Sequence, residues 1–149
     1  MKVNQLADLL GISGDTVRYY SRIGYLKPRK NPINGYKEYR QKDAQRLKFI
    51  LSARQLGFTV ADIGRILDEA DRGNTPCPTV RKIINQRLQE TEQKFAEAMA
   101  LYERMKAASS DWEKRPDKHP TGDMICHLIE DFSYQGEEAN NSIKPKCQR

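Results

Sequence analysis

The chain has 149 residues, enough for one ordinary domain or for a small head with an extended partner-binding helix. With 38% hydrophobic and 31% charged residues, it reads as soluble and folded, which excludes a wholly disordered polyelectrolyte. No run approaches the roughly 18 apolar residues of a membrane span, and MKVNQLADLLGI lacks the unbroken apolar core of a signal peptide, so a cytosolic protein is expected. The formal charge of +6 is unevenly spread: residues 1–60 hold twelve Lys/Arg against four Asp/Glu, and the remainder holds fourteen against sixteen. A basic first third on a near-neutral remainder fits a polyanion partner, or simply a basic surface.

In chain order, VNQLADLL puts Val3, Leu6, Leu9 and Leu10 on one face of a short amphipathic helix, which Gly11 breaks. Ser13 is placed to cap a second helix over Gly14 to Ile23, with Asp15 in its first turn, where the helix dipole favours a carboxylate. Helix, glycine turn and capped helix form a helix-turn-helix pattern. Its second helix enters the major groove with its N-terminal residues on base edges. Ser13, Thr16, Arg18, Tyr19, Tyr20 and Arg22 are the candidate DNA contacts there. Arg18 suits a guanine edge or a phosphate, and a tyrosine hydroxyl reaches a phosphate while its ring packs inward. For Tyr19 and Tyr20, core packing stands beside DNA contact.

Lys27 to Arg40 follows, with Pro28 and Pro32 forbidding a helix and Asn34-Gly35 signalling a hairpin. Five basic residues on a short two-stranded wing after the reading helix describe a winged DNA-binding head, with Lys27, Tyr36, Lys37 and Arg40 beside the groove. A helix then resumes at Lys42, with Ala44, Leu47, Phe49, Ile50 and Leu51 as its apolar residues, and stops at Gly57. Another begins at Thr59, carries Val60, Ile63, Ile66 and Leu67 inward, and ends near Gly73.

Pro78 to Ala107 reads as one long helix. Proline occurs only at its first residue, where the missing N–H costs nothing. Leu88, Phe95 and Tyr102 repeat every seven residues, as do Ile84, Thr91, Ala98 and Met105, and the two rows interleave by four and three. That is a coiled-coil seam. At about 1.5 Å per residue, thirty residues span roughly 45 Å, more than a small domain covers, so self-association is expected over packing on the chain's own domain. Arg81, Lys82, Arg87, Glu90 and the other charged positions make a solvated face. The fold class is mainly α: a winged helix-turn-helix head over 1–73, a dimerisation helix over 74–109, a loop and short helix over 110–132, and a disordered tail over 133–149.

Asp15-Thr16-Val17-Arg18-Tyr19-Tyr20, the wing Gly35-Tyr36-Lys37-Glu38-Tyr39, and Leu47-Lys48-Phe49-Ile50 followed by Arg54-Gln55-Leu56-Gly57-Phe58 resemble the MerR family of bacterial transcription regulators over about residues 3–107. The chain departs from the usual pattern at Ser21, Tyr25 and Lys37, where many members carry Glu, Leu and Arg. Lysine at 37 keeps the charge without the bidentate fork. The resemblance implies a cytoplasmic, bacterial homodimer with an antiparallel coiled coil and two winged heads. Such a dimer sits on a promoter whose −35 and −10 elements are too far apart. In response to an effector it bends and untwists the DNA so that RNA polymerase engages both elements. Phosphate contacts from Arg18, Tyr20, Tyr36 and Arg40 would hold the duplex at two distant points.

Effector specificity is expected beyond Ala107. In an antiparallel pair, Cys77 lies beside residues 110–127 of the partner. That segment runs through Trp112 and His119 to a short helix that Asp123 can cap, with Ile125, Leu128, Ile129 and Phe132 inward. The metal-sensing branch of the family pairs a cysteine matching Cys77 with loop cysteines and one matching Cys126. The resemblance therefore implies a divalent metal effector such as zinc between Cys77 of one chain and Cys126 of the other, with His119 as a third ligand. The branch's loop cysteine is missing between Trp112 and Lys118, and buried structural thiols with a small organic or redox signal stand as the alternative. Trp112 is either a packing anchor or a ligand platform. His127 falls roughly 200° from the short helix's apolar centre and is expected to be exposed. Cys147 lies in the tail. A non-switching DNA-organising protein is a further alternative, which the structured segment after the long helix disfavours. An enzyme is not expected: both histidines lie in one loop-and-helix segment, and no glycine-rich phosphate loop exists.

Overall fold

The computed structural model describes residues 1–135, with side chains through Phe132. The elements are α1 (Val3–Leu10), α2 (Gly14–Arg22), β1 (Arg29–Lys30), β2 (Lys37–Glu38), α3 (Gln41–Gln55), α4 (Val60–Asp71), α5 (Cys77–Trp112) and α6 (His127–Gln135). No helix among the described residues is long and apolar enough to cross a membrane. The chain divides into two compact units, Met1–Glu92 and Gln93 onward.

The first unit is a helical head with one apolar core. Leu6 and Ala7 of α1, Val17 and Tyr20 of α2, Leu47 and Ile50 of α3, Ile63, Ile66 and Leu67 of α4, and Leu26, Tyr39 and Phe58 from the connections are all buried. Local chemistry sets the boundaries. Gly11 ends α1 at φ +68°, a left-handed conformation that glycine adopts without a Cβ clash. The Ser13 hydroxyl accepts from the Thr16 N–H at 3.2 Å and begins α2. Thr59 and Asp62 form a reciprocal capping box at the start of α4, at 3.0 and 2.9 Å. Asp43 accepts from the Arg40 N–H at 2.8 Å at the start of α3. Leu9, expected on the inward face of α1, is exposed, because Ala7 takes the buried position beside Leu6.

The wing is a two-stranded antiparallel hairpin in which Arg29 pairs with Glu38 and Lys30 with Lys37. Its turn is longer than a two-residue Asn-Gly loop. Asn31 Oδ1 accepts from the Ile33 and Asn34 N–H groups at 2.8 and 3.4 Å, and Asn34 Oδ1 accepts from the Tyr36 N–H at 3.0 Å. Gly35 supplies the positive φ of +75° that lets the chain return.

The first part of α5 belongs to this unit. Ile83 is 1% exposed in the head's core, and Val80 and Ile84 pack against it. Ile84, assigned from its spacing to the seam, is thus shared with the head. Arg87, assigned to the solvated face, instead grips Asp62: its Nε and NH2 donate to the two carboxylate oxygens at 2.8 and 2.9 Å. Its remaining terminal nitrogen donates to Glu90. Thr79 adds a bond to Glu69 at 2.7 Å.

The departures at 21 and 25 are each accommodated. Ser21 bonds the Tyr39 hydroxyl at 2.6 Å and donates to the Val17 carbonyl at 3.0 Å. The Tyr25 hydroxyl donates to the Val60 carbonyl at 2.7 Å and lies where a Cβ on Gly64 would stand, so tyrosine at 25 and glycine at 64 go together.

The second unit holds the rest of α5, a loop and α6. Helix α5 runs to Trp112, so Ser110, Asp111 and Trp112, read as loop, form its last turn. Arg115 bridges Asp111 at 2.8 Å and Asp131 at 2.9 Å, and Trp112 meets Phe132 edge to face with centroids 6.3 Å apart. Helix α6 starts at His127, four residues beyond Asp123. Its first turn is capped in reverse, by Glu130 accepting from the Ile125 and Cys126 N–H groups at 2.9 and 2.6 Å. Ile125 and Ile129, expected inward, are exposed. His127, expected exposed, is partly buried with its Nε2 at 3.0 Å from the Pro116 carbonyl oxygen. Residues 133–135, placed in the tail, continue α6, and 136–149, with Cys147, lie outside the described residues.

Asp62 is 3% exposed, and the Arg87 guanidinium, with the Thr59 N–H, holds its carboxyl down at about 2 against an ordinary 3.8. A carboxyl whose folded value lies below its unfolded one adds stability above the unfolded value, and that stability is lost as pH falls toward the folded one. The shift corresponds to about 2 kcal/mol. Chemical denaturation at fixed protein concentration should show wild type losing about that much more than Asp62→Asn between pH 5 and pH 2. Parallel pH profiles for the two proteins would remove Asp62 from the balance.

Candidate nucleic-acid interface

The helix-turn-helix and the wing bring one set of basic and polar groups to a single face of the head. The cap on Ser13 orients the first turn of α2, where the Ser13 and Thr16 hydroxyls lie 2.9 Å apart and Arg18 stands exposed. Arg18 pairs with the exposed Asp15 at 2.9 Å, and its guanidinium lies over Gly14, where a Cβ would come within 3.2 Å of it. Lys2, Val3, Asn4, Arg18, Tyr36 and Lys37 line one cleft of about 390 Å³, with the Lys2 ammonium 5.5 Å from the Tyr36 ring centroid. Three cations, an amide and a phenol around one cleft suit a backbone phosphate and its neighbours. Lys2 and Asn4 carry no local sequence signal for this role. They join the site only because α1 passes beside the base of the wing.

The tyrosines divide. Tyr19 is exposed and carries the Arg22 guanidinium 5.6 Å from its ring centroid. Tyr20 is 6% exposed, stacked on Tyr25 and edge-on to Tyr19, so its ring is a core group. Lys27 and Arg40 belong to a second cleft of about 410 Å³ with Lys42, Asp43, Arg46 and Asp71. Arg40 is fixed there by the Lys27 carbonyl at 3.2 Å and by Asp43. Arg46 forks onto Asp71 with both contacts at 2.9 Å and donates to the Tyr25 carbonyl at 2.6 Å. That fork, reinforced by the charges of Lys27 and Lys42, lowers the Asp71 carboxyl below its ordinary value.

Cys77 is exposed at the first residue of α5. Cys126 is partly buried immediately before α6, and His119 is exposed in the loop. Among the described residues, no group of three or more His, Cys, Asp or Glu side chains could hold a metal ion. A separate apolar cleft of about 700 Å³ in the second unit is lined by Leu101, Met105, Ala108, Trp112 and Phe132, with Arg104, Ser109 and Glu113 at its edge. The Trp112 Nε1 is buried without an acceptor among the described residues.

A capped helix-turn-helix, a basic wing and a basic cleft on one head define a DNA-binding protein. Family models described as "MerR HTH family regulatory protein" and "MerR, DNA binding" match residues 1–70 and 44–108. The chain is 34% identical over 101 residues to the HTH-type transcriptional regulator ZntR of Escherichia coli K12, spanning 67% of this chain and 72% of that one. It is 31% identical over 104 residues to the mercuric resistance operon regulatory protein of Bacillus cereus, spanning 70% and 78%. The lead(II) complex of the transcription regulator PbrR691 from Ralstonia metallidurans CH34 shares the fold, with a TM-score of 0.68 at 21% identity over 88% of this chain and 98% of that one. The chain belongs to the MerR family: it is a DNA-binding transcription regulator and not an enzyme.

Arg18→Ala and Lys2→Ala should each weaken duplex binding. Each should reduce the slope of log affinity against log salt by about one phosphate-equivalent. Fluorescence-anisotropy titrations across a salt series give both values, and unchanged slopes for both variants would move the phosphate site elsewhere.

Proposed function

We propose that the protein acts as a homodimer that holds a promoter with an over-long spacer and distorts it in response to an effector, so that RNA polymerase can engage both promoter elements in the bacterial cytoplasm. The observation that carries this reading is the apolar row on α5. Leu88, Phe95, Tyr102 and Met105 are 55%, 68%, 54% and 60% exposed in the single chain. Large apolar side chains repeating by heptads in water call for a partner helix. Thr91, within the row, donates its hydroxyl to the Arg87 carbonyl at 2.8 Å, so it brings no unsatisfied polar group to the contact. With two heads on one dimer, phosphate clefts around Arg18 and Tyr36 grip the duplex at two separated places, and binding energy goes into DNA deformation.

The effector we propose is a divalent metal ion such as zinc, held between Cys77 of one chain and Cys126 of its partner, with His119 as third ligand. The donor set supports a borderline-soft ion: two thiolates and an imidazole are zinc-type ligands. In the proposed site the ligands come from two copies of the chain. Glu130 fixes the backbone at Cys126 and thus directs that thiol. When bound, the ion supplies a positive centre that ties the start of one α5 to the effector segment of the other. Similarity to the mercuric resistance operon regulatory protein favours the same class of signal. One observation favours a second reading: the buried, acceptor-less Trp112 N–H beside the apolar cleft suits a small organic signal carrying a hydrogen-bond acceptor.

Phe95→Asp should dissociate the dimer by burying charge in the seam, read by sedimentation; a surviving dimer would sink the coiled-coil reading. Titration of the reduced protein with zinc, cadmium and lead should give stoichiometric binding per dimer, seen in thiolate–metal absorbance and lost in Cys126→Ser. Binding no tighter than that of free thiols would make the cysteines structural and leave the Trp112 cleft as the effector site.

A further inference from the structure

Ile33 is 93% exposed, the most water-facing of the large apolar side chains described. It stands at the tip of the wing. Pro32 before it has a fixed φ and no N–H. Its own N–H is turned inward to Asn31 Oδ1 at 2.8 Å, and the Asn31 amide donates to Glu38 Oε1 at 2.8 Å, locking the turn to the strand. The Asn31 N–H reaches the Tyr36 carbonyl and the Gly35 N–H reaches the Asn31 carbonyl, both at 2.8 Å. The tip is therefore held in one shape, with its polar backbone inward and an isoleucine outward. Below the tip stand Arg29, Lys30 and Lys37 of the strands, and Lys2 beside Tyr36.

We propose that Ile33 is an apolar wedge that enters the minor groove flanking the site read by α2 and partly unstacks a base step there. The proposal rests on the reading of this face as the DNA interface. With α2 in the major groove, the wing lies to its side, where the grooves alternate. A two-stranded ribbon fits a major groove about 12 Å wide, but only a narrow tip enters a minor groove about 6 Å wide. Cations at the base of the hairpin hold the phosphates on either side, and the side chain at the apex has nowhere to bury itself except between or against bases. Apolar wedges flanked by basic residues kink duplexes by this means. Flexible pyrimidine–purine steps yield at least cost, so the wedge gives sequence preference at a position that makes no base hydrogen bond. Because the side chain touches nothing in the head, replacing it leaves the fold intact.

The test uses the full-length protein and a duplex recovered by in vitro selection from random sequence, with 2-aminopurine at each flanking step and a donor–acceptor dye pair on its ends. Wild type should raise 2-aminopurine fluorescence at one flanking step and shorten the end-to-end distance. Ile33→Ser should lose the fluorescence rise, lessen the bend and bind about ten-fold more weakly, with an unchanged salt slope. Ile33→Leu should behave like wild type. Lys37→Ala should show the opposite pattern, a reduced salt slope with the fluorescence rise retained. If Ile33→Ser matches wild type in fluorescence, bend and affinity while Lys37→Ala and Arg18→Ala lose salt dependence, the wedge is overturned and the interface stands. If none of the three variants alters binding, the interface reading itself fails. Wild-type DNA behaviour with loss of transcription alone would overturn the wedge and assign Ile33 to a protein partner.

Discussion

The pairing of Asp62 with Arg87 sets what kind of molecule this is. Asp62, in the first turn of α4, already accepts from the Thr59 N–H, so its carboxylate is aimed before Arg87 arrives. Arg87 adds a bidentate fork from α5, twenty-five residues away in sequence, and Glu90 holds the rest of the guanidinium. A buried carboxylate without that partner would cost several kcal/mol. The pair therefore makes the first turns of α5, with Ile83 in the core, part of the DNA-binding head. Any displacement of that helix must either carry the head with it or break a buried ion pair.

This joint clarifies how a DNA face can be both stiff and responsive. Three groups on the candidate DNA face are each fixed by a bond within the head: Ser13 by the helix cap, Arg40 by the Lys27 carbonyl, the wing tip by Asn31. Preorganised groups of this kind lose little freedom on binding, so phosphate contacts can be spent on bending the duplex. Asp15 beside Arg18 works the other way. An exposed carboxylate on a face meant for phosphates moderates affinity, which suits a regulator that must release or re-shape its site.

Most of the head was legible in the sequence because its boundaries are written locally. Gly11, Ser13, Thr59 and the prolines of the wing act on their immediate neighbours, and the structure obeys them. What escaped is non-local. Nothing near Arg87 distinguishes it from the other charged residues of α5; its role appears only when α4 folds alongside. Ile83 lies outside the heptad rows, yet the start of α5 serves the head's core. Lys2 and Asn4 join the phosphate cleft by the passage of α1 beside the wing. Ile125, just before α6, and Ile129 within it follow an apolar period, yet face water in the single chain; period alone names a stripe without naming what covers it. Asp123 had the right chemistry for a cap, but Glu130 reaches back from within the helix and caps the first turn instead.

The second unit is built differently. Among its described residues there is little core: Ala108 is buried, Trp112 and Phe132 cover each other, and Arg115 ties the end of α5 to α6 through two carboxylates. A segment held by one aromatic contact and a few exposed ion pairs is weakly determined by itself, since exposed pairs contribute about 1 kcal/mol or less. A modest binding event can therefore rearrange it. The head, by contrast, is locked by a buried ion pair and a continuous core. On the proposed reading, a small ligand free energy then suffices to rearrange the second unit while the head keeps its core.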